Sequence, residues 1–236
     1  GLDSIAVAGL VGAYSELLNA TQQATDGGAL THRDSVAAYI AHNTTSMVDY
    51  LLSRVFPGQR PIKAAADHMA VMLARTRLGD TNWTAPASGR AVPGVRPGAD
   101  PRVKVFLPLA GFASGAGDAA SMDVVLVQWD TEVHPRGART LGSDTITVNL
   151  TVEHTNGSRA RHDLLEQPIV VTVAQETPKP GPSVRVRGAD TLDQCLYWDE
   201  ADSAFKSRGV IVSEISYTHV TCESYHLTDF ASILDK

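Results

Sequence analysis

Cys195-Leu196-Tyr197-Trp198 and, further on, Cys222-Glu223-Ser224-Tyr225-His226-Leu227-Thr228-Asp229-Phe230-Ala231 are the stretches whose reading decides the fold. In an extended strand, residues i and i+2 project from the same face, so His226 and Thr228 fall on one side with Leu227 between them. A hydroxyl residue with a base two positions earlier is set up to attack its own upstream peptide bond. The chemistry to expect is self-cleavage between Leu227 and Thr228. Three residues alone recur by chance, so the context carries the weight. It comprises Phe205, Gly209, the two cysteines and the apolar tail Phe230-Ala231 and Ile233-Leu234.

Taken together, residues 195–234 resemble the GPS motif, the C-terminal part of the GAIN domain found before the first membrane span of adhesion GPCRs and polycystin-1 proteins. The commoner form has a Trp near Phe205 and four cysteines. Here the second and fourth cysteine positions are Val210 and Ser224, which pair with each other in the four-Cys form, so losing both leaves no orphan thiol. Two cysteines, Gly209-Val210-Ile211 and Cys-x-x-x-His-Leu-Thr look most like the polycystin-1 type, with the adhesion GPCR type second. The resemblance implies a disulfide between Cys195 and Cys222. It implies that His226 takes the proton of Thr228, whose oxygen attacks Leu227. It also implies that the product strand, with Phe230, Ile233 and Leu234, stays bound without a covalent link. Such a reaction is a single turnover in cis, with no external substrate. The resemblance further implies as partners the chain's own C-terminal strand, a downstream membrane region and extracellular protein ligands, and as the place the extracellular side of the plasma or ciliary membrane. The alternatives are a non-cleaving glycosylated adhesion module and an adhesion-GPCR-type domain with a tethered agonist.

Composition agrees with an ordinary core-forming chain: 236 residues with 43% hydrophobic content can bury one large or two small domains. A net charge of -6 offers no general basic field for a phosphate backbone, so nucleic acid is not expected as a partner. The longest nearly apolar run, Ile5 to Tyr14, is too short to span a bilayer. With neither an initiator Met nor a leader, the chain reads as a piece of a longer precursor. All of its asparagines, Asn19, Asn43, Asn82, Asn149 and Asn156, lie in N-x-Ser/Thr sequons, a coincidence of about one in ten thousand. That bias favours a secreted or ectodomain chain glycosylated at these positions.

Along the chain, apolar spacing predicts three helices before residue 79. The first carries Leu10, Tyr14, Leu17 and Leu18 on one face. The second opens at Thr31 with Asp34 as an approximate capping box and carries Val36, Ile40, Met47, Leu51 and Val55. The third starts at Pro61 and runs through Ile62, Ala66, Met69 and Leu73. Gly79 to Pro101, with Pro86, Pro93 and Pro97, reads as a linker. Strand segments follow: Val103, Val105 and Leu107 alternate, Val124 to Val127 form a continuous buried-strand run, Ile146, Val148, Leu150 and Val152 alternate, and Pro168 to Val173 is another strand, then a loop from Thr177 to Pro182. Thr145, Thr147, Asn149 and Thr151 are expected to face solvent. The fold class is α+β, with an N-terminal helical subdomain over 1–100 followed by a C-terminal antiparallel β-sandwich subdomain over 101–236.

Other chemistry is thin. Gly-x-Ser-x-Gly, a P-loop and Gly-x-Gly-x-x-Gly are all missing from the sequence, and no cofactor is implied. His219-x-x-Cys222 has zinc-like spacing but lacks a second spaced pair, so no metal is expected. His32, His42 and His68 read as ordinary helix residues.

Overall fold

The computed structural model describes residues 4–23, 30–77, 83–86, 103–107, 119–129, 134, 145–161, 164–174, 184–185, 195–216 and 218–232. Helices α1 (Ser4–Gln23) and α2 (Leu30–Leu52) come first. Strands follow: β1 (Ile62–Ala65), β2 (Met69–Arg77), β3 (Trp83–Pro86), β4 (Val103–Leu107), β5 (Ala119–Trp129), β6 (Thr145–His154), β7 (Arg159–Arg161), β8 (Leu164–Ala174), β9 (Val184–Arg185), β10 (Cys195–Asp199), β11 (Ala204–Lys206), β12 (Val210–Ile215), β13 (His219–His226) and β14 (Asp229–Ser232). One sheet runs β1-β2-β5-β6-β14-β10-β11, with β7 also on β6, and the other runs β3-β4-β8-β13-β12-β9. All of the paired strands are antiparallel. The class is α+β.

Burial explains the strand sequences. Met122, Val124 and Leu126 of β5 join a core cluster shared with Val105, Ile169, Val171 and Cys222 of the other sheet. Val125, Val127 and Trp129, on the opposite face, join a second cluster with Val7, Val11, Ile40 and Leu51 of the helices. A strand covered on both faces has no polar side, which is why Val124 to Val127 is an unbroken apolar run. In β6, Ile146, Val148, Leu150 and Val152 are fully buried.

Three expectations are corrected here. The third helix is the hairpin β1–β2, with Ile62 opposite Leu73 and Ala65 opposite Ala70. Met72 and Ala74 of β2 enter the shared core while Met69, Val71 and Leu73 meet the helices. Burial on both faces erased the alternation, and the Ala, Met, Leu and Arg content of β2 favours helix until tertiary pairing overrides it. Strand therefore begins well before residue 101. Within α1 the buried stripe is Val7, Val11, Ser15 and Leu18, while Leu10 and Leu17 are exposed. The buried face is thus turned partly away from the expected one, which keeps Leu18 and Tyr14 against the core but not Leu10 and Leu17, and the Ser15 hydroxyl accepts a 2.8 Å hydrogen bond from the His68 amide. On β6, Thr145 is buried and Thr147, Asn149 and Thr151 are half-buried rather than solvent-facing. Asn149 stands opposite Val125, on the face where the helices pack.

α2 fits its expected stripe, with Ile40 and Leu51 buried and Met47 packed beside them; the side chains of Thr31, Asp34 and Val36 lie outside the described residues. Trp83–Pro86, within the expected linker, pairs with β4 as an edge strand, a position that tolerates Pro86. The remainder of that linker and the loop from Thr177 to Pro182 lie outside the described residues.

Candidate self-cleavage site

Strand β13 lies between β8 and β12, while β14 lies in the other sheet between β6 and β10. Leu227 and Thr228 are the whole connection, so the chain changes sheets across the Leu227–Thr228 peptide. Leu227 is buried in the core shared by the sheets. Thr228 is gripped from both neighbours of β14: its carbonyl accepts a 3.0 Å bond from the Val148 amide, and its Oγ1 donates at 2.7 Å to the Trp198 carbonyl.

His226 is held by its surroundings. Its backbone amide donates to Ser224 Oγ at 3.0 Å, and that hydroxyl donates at 3.3 Å to the His226 carbonyl. Tyr197 of β10 stacks on the imidazole, with centroids 5.6 Å apart and planes 13° apart. Gly209, at φ +95°, abuts the Nε2 edge, where a Cβ would stand 3.2 Å from that nitrogen. Glycine meets both demands at this position, positive φ and close approach. Among the described residues no hydrogen bond joins the His226 ring to Thr228 Oγ1; the hydroxyl's hydrogen is directed to Trp198.

Cys195 of β10 and Cys222 of β13 form a disulfide, with Cα atoms 5.9 Å apart, that ties one sheet to the other. Val210 and Ser224, where the four-Cys form carries its other pair, are direct cross-strand partners on β12 and β13. Phe230, Ala231 and Ser232 of β14 are all buried. Ile233 and Leu234 lie outside the described residues. Cys222 is committed to the disulfide, so it offers no thiolate to a metal beside His219.

The sequons differ in setting. Asn156 is exposed in the turn between β6 and β7, its Oδ1 accepting a 2.8 Å bond from the Ser158 amide. Asn19 and Asn43 are half-buried on α1 and α2, and Asn43 Nδ2 donates to the Tyr39 carbonyl. The Oδ1 of Asn149 is buried and has no partner among the described residues. Asn82 lies outside them.

Residues 106–236, more than half of the chain, match the family model described as GPS, GAIN subdomain B. The chain belongs to the GAIN family. No curated protein sequence matches it. The GAIN match begins inside β4 and ends beyond β14, so it takes in strands of both sheets and the whole of the candidate site. Among the described residues of this GAIN chain, no helix is long and apolar enough to cross a membrane.

The tripeptide and both cysteines are visible in the sequence, whereas the groups that hold them are not. Nothing in the spacing of Tyr197 and Gly209 signals contact with His226. Ser224 stands out in the sequence only as a missing cysteine, while its hydroxyl holds the His226 backbone. The Trp198 carbonyl has no sequence signal at all, being backbone.

Proposed function

We propose that this GAIN domain cleaves its own chain once, between Leu227 and Thr228, and keeps the downstream segment in place through strand β14. The observation that carries it is the sheet change at this peptide: Leu227 is sunk in the core while both the carbonyl and the hydroxyl of Thr228 are pinned by neighbouring strands. Such anchoring on both sides supplies the positioning that an intramolecular attack needs, worth up to about 7–11 kcal/mol of barrier in favourable systems.

In the reaction, the Thr228 hydroxyl leaves the Trp198 carbonyl and gives its proton to His226. Oγ1 bonds to the Leu227 carbonyl carbon. The carbon–nitrogen bond then breaks as His226 passes its proton to the nitrogen, which becomes the amine of Thr228. The resulting ester between Leu227 and Thr228 is hydrolysed by water, leaving a Leu227 carboxylate and the restored hydroxyl. Base, hydroxyl and water complete the balance, so no cofactor enters. A base of this kind typically contributes about 10²–10⁴-fold.

The host is a polycystin-1-like membrane protein, with this domain on the extracellular side of the plasma or ciliary membrane. Support comes from the two-Cys motif and from Val210 facing Ser224 where a second disulfide would sit. The helices form the first GAIN subdomain, ending before β1 because β1 and β2 pair into the sheet of β5, and the two sheets form the sandwich. Extracellular protein ligands and the downstream membrane region are its partners, and an adhesion-GPCR-type tethered agonist is the variant of this role. One observation favours a second reading, a glycosylated adhesion module that does not cleave: the Thr228 hydroxyl is engaged by Trp198 rather than by His226.

Intact mass of substituted chains decides between them. Thr228→Ala is expected to stay whole, Thr228→Ser to cleave, and His226→Ala to slow cleavage at least 100-fold. Cleavage persisting in Thr228→Ala would mean that another protease cuts the chain, and an uncut wild type would favour the adhesion module.

A further inference from the structure

His134 reaches the downstream strand from 95 residues away, its Nε2 hydrogen-bonded to Asp229 Oδ2. A carboxylate oxygen accepts, so the imidazole nitrogen facing it carries the hydrogen. The same ring stacks on Trp198, with centroids 4.0 Å apart and planes at 17°, and meets Phe205 edge-on at 5.5 Å. Both partners are largely withdrawn from water, with 12% and 16% of the His134 and Asp229 side chains exposed. Solvent therefore weakens this contact less than it would a surface pair.

Its place in the register gives it a role. The pairing of β10 with β14 runs Cys195 to Ser232, Leu196 to Ala231 and Tyr197 to Phe230, and stops there. One step further along the same register stand Trp198 and Asp229, the two residues that His134 bridges. The bridge thus sits at the open end of the ladder, beside Thr228, whose hydroxyl is bonded to the Trp198 carbonyl. Cys195 and Phe230 belong to the core between the sheets. Trp198 and Asp229 alternate to the other face, so His134 closes this end from outside.

We propose that His134 is a clasp, a positioning residue that shuts β14 against β10 at the scissile end and sets how often the downstream strand opens. Its importance for retention rests on the self-cleavage reading, because a segment cut from the upstream chain depends on such contacts to stay. The contact itself is present in the uncut chain.

Hydrogen exchange at the backbone of residues 229–232 tests it in the full chain, with the intact mass of each sample read alongside. The set is wild type, His134→Ala, His134→Gln, Asp229→Ala and the double Ala variant. His134→Ala is expected to speed exchange in β14 by about ten-fold or more, as loss of a hydrogen bond to a charged group should, with β5 and β12 unchanged. His134→Gln, which keeps a donor for Asp229, should recover part of the protection. The double variant should exchange no faster than His134→Ala alone, because both changes remove one interaction. Unchanged exchange in β14, equal acceleration across both sheets, or additive effects in the double variant would overturn the clasp. The mass reports separately whether the chain is cut, so failure of self-cleavage leaves the exchange result standing.

Discussion

β13 and β14 are consecutive in the chain and both lie inside a sheet, yet they are secured in different ways. β13 is stapled by Cys222 to Cys195 and pairs with β8 from His219 to His226. β14 has no covalent tie but the chain itself, and depends on its rungs to β10 and β6, on the burial of Phe230 and Ala231, and on the grip at Thr228. A cut at the peptide between them therefore leaves the upstream body cross-linked and the downstream piece held by strand pairing and packing, without a covalent bond. A disulfide reaching across that bond would have tethered the products. Both cysteines lie upstream of it instead.

The comparison breaks most readily at Phe230. It is fully buried between the sheets, and Phe230→Ala is expected to cost about 3–5 kcal/mol. In a cleaved chain that loss should fall on β14 and release the segment, as measured by size-exclusion chromatography followed by mass spectrometry. Retention unchanged in Phe230→Ala would mean that packing is not what holds the strand.

The staple on β13 should matter slightly less. Replacing Cys195 and Cys222 together by Ala frees a crosslink spanning 27 residues, which the chain-entropy model values at about 3–4 kcal/mol. Denaturant melts should show that loss as global unfolding at lower denaturant, with the segment departing only when the body unfolds. Early departure of the segment would show that the disulfide supports β14 as much as β13.

The smallest expected effect is at Gly209. An alanine Cβ there meets His226 Nε2 at 3.2 Å on a backbone with φ +95°. Left-handed strain costs about 1–3 kcal/mol, and the displaced imidazole should slow cleavage by about ten-fold. Measured half-times of cleavage in Gly209→Ala check this, and an unchanged half-time would remove Gly209 from the positioning of the base.

Where the sequence could be read, local chemistry made it so. Phe230 and Ala231 are apolar in adjacent positions, which is what a strand buried on both faces requires, and β14 is such a strand. The same physics misled at Met69 to Arg77: a run apolar on both faces loses its period of two, and its residues favour helix until β5 pairs with it. His134 could not have been found, since its partners Trp198 and Asp229 are distant in sequence and no local pattern marks it. Nor could the Trp198 carbonyl, which acts through backbone geometry. Motif chemistry is local and was legible; the contacts that position it are made by folding and were not.

Mass spectrometry of a single wild-type sample under native and then denaturing conditions tests self-cleavage with strand retention most directly. One species of full mass is expected natively, which on denaturation separates into a body ending at Leu227 and a segment running from Thr228 to Lys236. A free segment in the native sample would contradict strand retention, and a single uncut mass after denaturation would contradict cleavage itself.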